Sequence, residues 1–522
     1  MTFSRDRGMR ERTGLPRGVP AAAAGVLAWA GVAVAQPTMP DPRLVAEVVA
    51  TGLGDSQLTC STGFFFPARD TILAVSRADG RVRRVDLQPE TIAMPGATVL
   101  DLDIVFGTLN DQTEYGVQAL EPHPSFASTG WVYARYDQTK FPGRDTDQIE
   151  FHNFNDPAAN VIERYVWDPQ ANDGDGALVF DTLIRSMLTY THFHHGGPIA
   201  FDHASPPHLF TLHGDQRHGN LISNNVLNGF VIGDAGTIIR INDDGSIPED
   251  NPFGVVNGAP AGTEAWFAYG TRNSFGLTID PVTGDLWQTD NGEFLYDEVN
   301  RVSMSDNLGW LRIMGPTDHF RQTGSIDQIV NLPGDPPAAY HDPQFAWFQA
   351  TGATAIHFLY GSALGAPWDD AVIVANYNTG FVWILRLNET RTGFVFQHPG
   401  LQDRVDDRSS FLSNPVGTEA AELLWGRSFA PNFRGVLAIE RGPDGLPYFL
   451  NAAGQIIRVR RACPQDFNGD GFLDPDDLGD YINCFFGNMG DPGACGLADF
   501  NKDGSVDPDD LGDFIDQYFA GC

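Results

Sequence analysis

The stretch IDPVTGDLWQTDNG, Ile279 to Gly292, decides the fold. An Asp-Pro-x-Thr-Gly turn leads directly into a short run carrying Leu286 and Trp287, and a second Asn-Gly turn closes it. Short apolar runs bounded by Gly, Pro, Asp and Asn are the mark of β-strands. Similar turn-plus-strand units lie near Pro67, Pro124, Asp202, Ser362 and Asp444. After a short first interval, the steps between anchors are 78, 78, 82 and 82 residues. A second strand type follows several of them, GRVRRV at Gly80, GTIIRI at Gly236, GFVWIL at Gly380 and GQIIRV at Gly454. Long amphipathic helical patterns are nearly absent before Cys463. Six all-β units in series predict an all-β, six-bladed β-propeller over residues 36–461, since radial closure leaves few strand edges exposed. Ligands of such a fold bind at the axial mouth, where loops from several blades converge.

Composition narrows the function. The chain has 67 acidic and 33 basic residues in 522, a formal net charge of -34. That excludes a nucleic-acid partner, because phosphate backbones need clustered Lys and Arg. An apolar fraction of 42% supports a large core. At the N-terminus, Arg5, Arg7, Arg10, Arg12 and Arg17 precede AAAAGVLAWAGVAVA and a small-residue Ala33-Val34-Ala35 site. Residues 1–35 therefore read as a signal peptide, and the expected location is secreted, periplasmic or cell-surface. After signal removal no segment is long and apolar enough to span a bilayer. Cys463, Cys484, Cys495 and Cys522 cluster at the end, with Cys60 alone. Four clustered cysteines in an exported chain predict two disulfides, with three pairings open. Zinc is the weaker reading, because no CxxC pair occurs.

Residues 462–522 form a second module. DFNGDGFLDPDD and DFNKDGSVDPDD are near-copies 33 residues apart. Oxygen ligands at alternate positions of a tight loop suit a hard cation, so calcium is expected on both. The ligands would be Asp466, Asn468, Asp470, Phe472 (through its carbonyl), Asp474 and Asp477. In the second loop they would be Asp499, Asn501, Asp503, Ser505 (through its carbonyl), Asp507 and Asp510. Each loop precedes one apolar helical face, Leu478 to Phe486 and Leu511 to Phe519. With Asp in place of Glu at position 12, the module resembles a dockerin, an EF-hand-like duplicated loop–helix domain. That resemblance implies a cell-surface or cohesin-like partner and no catalysis.

A longer resemblance carries the chemistry. YGTRNSFGLTIDPVTGDLWQTDNGEFLYDEVNRVSMSDNLGW (Tyr269–Trp310), EYGVQALEPHPSF (Glu114–Phe126), HHGGPIAF (His194–Phe201) and DDGSIPEDNPF (Asp243–Phe253) resemble the soluble pyrroloquinoline-quinone (PQQ) dependent glucose/sorbosone dehydrogenases. These are six-bladed propellers that oxidise aldoses using PQQ and calcium. The resemblance implies that His194 is the general base, oriented by Asp215. It implies that Arg272 and Asn273 contact the quinone, with Arg272 stabilising charge on its oxygen, and that Glu114 contacts the sugar. The carbonyls of Gly292 and Glu293 would hold one calcium, and Asn291, Asp297 and Glu298 would match a second. Where the family grips the PQQ carboxylates with a Lys and two Arg, this chain has Asn378, Gly435 and Leu437. The acidic residue before the base is Phe193, and a calcium-binding Tyr is Leu308. Two alternatives accompany this reading: a non-catalytic propeller that binds carbohydrate or protein, and a calcium-dependent lactonase. His192, His195, His203, His208, His213 and His218 lack a compact spacing such as HExxH and read as polar loop residues.

Overall fold

The computed structural model describes residues 39–54, 61–77, 79–88, 91–104, 114–138, 159–189, 191, 193–378, 380–396, 401–407, 423–425, 435–468, 473–487 and 497–521. The expected signal peptide, His192, Asp470, Phe472, Cys60, Cys495 and Cys522 lie outside them. Before Cys463 the described chain is almost wholly strand and turn, with one short α-helix, Phe126–Thr129.

The strands form six sheets in succession. Their first strands are Ser61–Ala68, Val117–Pro122, Gly196–Phe201, Leu277–Ile279, Ala353–Phe358 and Val436–Arg441. Each pairs antiparallel with the next strand in sequence. Each first strand also packs beside the first strand of the following sheet, and the last lies beside the first. The final sheet takes its outer strand from the beginning of the described chain: Leu44–Ala50 pairs antiparallel with Ile456–Arg461, Leu44 opposite Arg461. Joining the two ends in one sheet covers the edge that either would otherwise expose. The expected class holds at this level, an all-β, propeller-like arrangement.

Five of the six turn anchors lie just after a first strand, and Pro67 lies at the end of one. Gly80, Gly236, Gly380 and Gly454 precede the third strand of their sheets at φ values of 68°, 74°, 73° and 72°. Only glycine takes that left-handed conformation without a Cβ penalty, which is why the second motif begins with it. The core lies between neighbouring sheets. Leu73, Val75 and Val82 meet Leu120, Val132 and Ala134. Farther on, Trp287 and Trp347 meet Val372, Val374 and Trp383.

The C-terminal module has two helices, Pro475–Gly487 and Pro508–Ala520. Tyr481 and Phe514 stack between them at 3.9 Å and 4°, within a small core that includes Phe485, Ala498 and Val506. Cys463 and Cys484 are each disulfide-bonded. The two loops repeat in geometry as in sequence. Asn468 and Asp474 donate their backbone N–H groups to the two carboxyl oxygens of Asp477, and Asn501 and Asp507 do the same to Asp510. The module rests against the β domain through Arg461, whose guanidinium donates to the carbonyls of Leu364, Ala366, Asp466 and Phe467.

Candidate functional site

The residues singled out for chemistry come together at one end of the first strands. Glu114 precedes Val117–Pro122, His194 precedes Gly196–Phe201, and Arg272 and Asn273 precede Leu277–Ile279. Asp215 follows the neighbouring strand His208–His213, and Asn291 and Gly292 form the turn after Leu286–Asp290.

His194 and Asp215 are both buried, and His194 Nδ1 lies 2.5 Å from Asp215 Oδ1. A carboxylate at Nδ1 fixes the proton there and makes Nε2, which Arg217 Nε approaches at 3.4 Å, the basic nitrogen. Burial opposes the charge of Asp215. Hydrogen bonds from His194, from the Arg217 backbone N–H at 2.8 Å and from the Trp310 indole at 2.7 Å outweigh it, and hold its pKa below the usual carboxylate range. His194 itself has a left-handed backbone, φ 57°. For a residue with a Cβ that costs about 1–3 kcal/mol, and such strain clusters at functional sites. Gly214 makes it fit: a Cβ there would stand 2.2 Å from the His194 carbonyl oxygen.

Behind the base lies a buried polar network. His195 Nδ1 meets both carboxyl oxygens of Asp137 at 3.0 Å, and its Nε2 donates to the Thr191 carbonyl. Arg135, fully buried, donates to Asn160, Thr211, Leu212 and His195 and reaches His213 Nδ1 at 2.9 Å. Burial lowers the Arg135 pKa to about 9. Burial also opposes charge on His195, but Asp137 prevails and raises its pKa. His213, buried beside Arg135, is held well below the usual range. His195 lies in the turn before Gly196–Phe201, as expected of a loop residue, but is buried; His213 ends the strand His208–His213, a correction to its reading as a loop residue. His208 pairs with Asp202 at 2.7 Å.

On the facing strands, Asp290 gathers the turn that carries Arg272. Its carboxylate accepts from the backbone N–H groups of Arg272, Asn273 and Asn291 and from the Thr271 hydroxyl. Arg272 donates to the carbonyls of Asn291 at 2.9 Å and Gly292 at 3.2 Å, and its guanidinium lies 5.4 Å from the Trp310 ring. Imidazole and guanidinium thus share one indole, Asp215 gripping its edge and Arg272 lying beside its ring. Asn273 donates to Glu114 Oε1 at 3.0 Å, while His195 N–H donates to Glu114 Oε2 at 2.9 Å.

The expected metal ligands are only partly assembled. Asn291 Oδ1 is buried without a hydrogen-bond partner, while the Gly292 carbonyl accepts from Arg272. An amide oxygen is one of the oxygen types that a hard cation takes as ligand. Asp297 instead accepts backbone N–H groups from Gly292, Thr351, Gly352 and Ala353. Burial raises its pKa to about 6. Glu298 accepts from Gly315 N–H and Asn300, and burial with the nearby Asp290 charge raises it to about 8. Neighbours on a strand point to opposite faces, so Asp297 and Glu298 do not share one ion with Asn291. Among the described residues, no three His, Cys, Asp or Glu side chains converge on a metal position. In the C-terminal loops, Asp477 and Asp510 spend their oxygens on backbone N–H groups, and Asp503 and Gly504 donate theirs to Asp499.

Sequence reading missed Arg135, Asp137, Trp310 and Arg217. Two charged residues in the otherwise apolar strand Trp131–Gln138 were the available signal for the first two. Arg217 follows the Gly-Asp-Gln that places Asp215.

Known proteins resemble this chain in sequence and in fold. The model of the Glucose / Sorbosone dehydrogenase family matches residues 63–408. An uncharacterised protein of Synechocystis sp. is 35% identical over 154 residues, 30% of this chain, and the match spans 35% of that protein's own length. An aldose sugar dehydrogenase of Escherichia coli is 23% identical over 339 residues, 64% of this chain and 74% of the relative. The PQQ-bound aldose sugar dehydrogenase of Streptomyces coelicolor shares the fold. Its TM-score is 0.51 at 18% identity, covering 81% of this chain and 99% of that one.

Proposed function

Because the chain belongs to the glucose/sorbosone dehydrogenase family, we propose that its six sheets are the blades of a closed six-bladed propeller that oxidises a small sugar. The observation that carries this reading is the buried His194–Asp215 pair facing Arg272 across Trp310. His194 Nε2 takes the proton of the anomeric hydroxyl, while Asp215 stabilises the imidazolium that results. The sugar loses a hydride from the same carbon and leaves as its lactone. Glu114 receives sugar hydroxyls at the rim.

PQQ is the cofactor of this reading, and when bound it supplies the quinone that takes up the hydride. Arg272 and Asn273 would hold the quinone end. The unpartnered Asn291 Oδ1 and the carbonyls of Gly292 and Glu293 would hold calcium. At that end the Gly292 carbonyl accepts from Arg272, so a cation there would have to displace that guanidinium contact. At the carboxylate end, Asn378, Gly435 and Leu437 bring no positive charge. This favours a second reading in which the mouth binds carbohydrate without turning it over.

Residues 1–35 act as an export signal in this account, and the disulfides at Cys463 and Cys484 support an oxidising compartment. The C-terminal helices form a dockerin-like calcium module that tethers the propeller to a cohesin-like or cell-surface partner. Reconstitution with calcium and PQQ tests the catalytic reading, using aldoses and a dye acceptor. Dye reduction that disappears in His194→Ala supports it. Sugar binding without turnover supports the second reading, and quinone-independent lactone hydrolysis would overturn both.

A further inference from the structure

Arg217 is exposed at the mouth, and among the described residues no carboxylate pairs with it. Several other arginines do have such a partner. Arg391 is held by Asp280, Arg404 by Asp342 and Arg458 by Glu47, each at 2.8 to 2.9 Å. Among the described residues, Arg272, Arg441 and Arg461 also form no ion pair with an acid but donate to backbone carbonyls, whereas the Arg217 side chain meets His194 Nε2 and the Phe193 ring.

Its position is specific. The Nε lies 3.4 Å from His194 Nε2, the nitrogen that would take the substrate proton. That contact is longer than a good hydrogen bond, so an arriving hydroxyl displaces it readily. The guanidinium lies 3.9 Å over the Phe193 ring, which covers one face of an otherwise exposed side chain. The turn beneath it is tied to the base. Arg217 N–H donates to Asp215 Oδ1 at 2.8 Å, Gln216 Nε2 to the His194 carbonyl at 3.4 Å, and Thr191 Oγ1 to the Gln216 carbonyl at 3.0 Å. Base and guanidinium therefore travel as one piece.

We infer that Arg217 recognises a carboxylate on the sugar that His194 acts upon, so that the substrate class is an acidic sugar such as a uronic acid. The inference rests on the dehydrogenase reading and deepens it. A planar fork of donors matches a carboxylate in two hydrogen bonds, which a neutral hydroxyl cannot satisfy. A neutral aldose leaves those donors unmet beside the base, and unmet donors are what a site discriminates against.

The test uses the full chain loaded with PQQ and calcium. Galacturonate is compared with galactose, and glucuronate with glucose, by kcat/KM and by calorimetric binding with and without cofactor. Each acid should exceed its neutral partner by about tenfold or more, and added salt should shrink the preference. Arg217→Gln should cut the acid-to-neutral ratio roughly tenfold to hundredfold, and Arg217→Lys should recover part of it. Neutral sugars equal to or better than the acids would overturn the inference. So would a ratio that Arg217→Gln leaves within about threefold, or a variant that loses only PQQ affinity and so marks a cofactor grip. Oxidation of neutral aldoses without acid preference removes this inference and leaves the dehydrogenase reading standing. Arg217-dependent binding of acids without oxidation does the reverse, and binding of neither class removes the inference.

Discussion

Replacing Asp215 by Asn probes the base most sharply. Three donors converge on this carboxylate: His194 Nδ1–H at 2.5 Å, Arg217 N–H at 2.8 Å and the Trp310 indole at 2.7 Å. Asparagine has one oxygen for them and brings two N–H donors of its own. If its amide nitrogen faces His194, the imidazole must accept at Nδ1 and carry its proton on Nε2, where it can no longer act as a base. If the oxygen faces His194, the amide nitrogen confronts the indole N–H and a buried donor goes unmet, at about 1–3 kcal/mol. The expected outcome is a kcat lower by roughly 10²–10⁴, the range for loss of general-base catalysis. KM should change by less than about threefold, because Asp215 does not face the sugar. A melting temperature lower by a few degrees should accompany it. Dye-linked kinetics on the loaded protein, with circular dichroism to confirm folding, reads all three. A folded variant that keeps kcat within about threefold of wild type would refute His194 as the base.

Other perturbations follow from the same geometry. Gly214→Ala should depress activity and cost roughly 1–3 kcal/mol in denaturant unfolding, since its Cβ would collide with the His194 carbonyl. Arg135→Leu should destabilise the domain by about 3–5 kcal/mol in the same assay, because it strands a buried set of acceptors around His195 and His213. The raised pKa of His195 contributes stability that is full below the unfolded value near pH 6.5 and is lost as pH rises through the folded value. His195→Gln should therefore flatten the alkaline side of a melting-temperature profile. Adding calcium to chelator-treated protein should slow proteolysis between the two C-terminal helices, and Asp499→Ala should weaken that protection.

What could be read from the chain followed from whether the information was local. Turn chemistry is local, so the Gly and Asp-Pro anchors marked the hairpins, and Gly80, Gly236, Gly380 and Gly454 marked left-handed turns. The apolar spacing after each acidic loop likewise foretold the helices whose Tyr481 and Phe514 stack. The His194–Asp215 contact, 21 residues apart, emerged only through family resemblance. The role of Arg135 was hidden, because five acceptors from two strands and a turn surround it only after the sheets pack. His195 and His213 looked like loop residues because burial, not spacing, sets them apart. Asp297 looked like a metal ligand because a sequence cannot display the four backbone N–H groups that its carboxylate gathers.

The most direct measurement follows a sugar labelled with carbon-13 at its anomeric carbon. It is incubated with one equivalent of the full chain carrying PQQ and calcium, and the labelled carbon is observed by NMR. The account predicts conversion to the lactone or its acid within one turnover, with none in His194→Ala. An unchanged anomeric signal in the wild-type protein, or equal conversion in both, would contradict it.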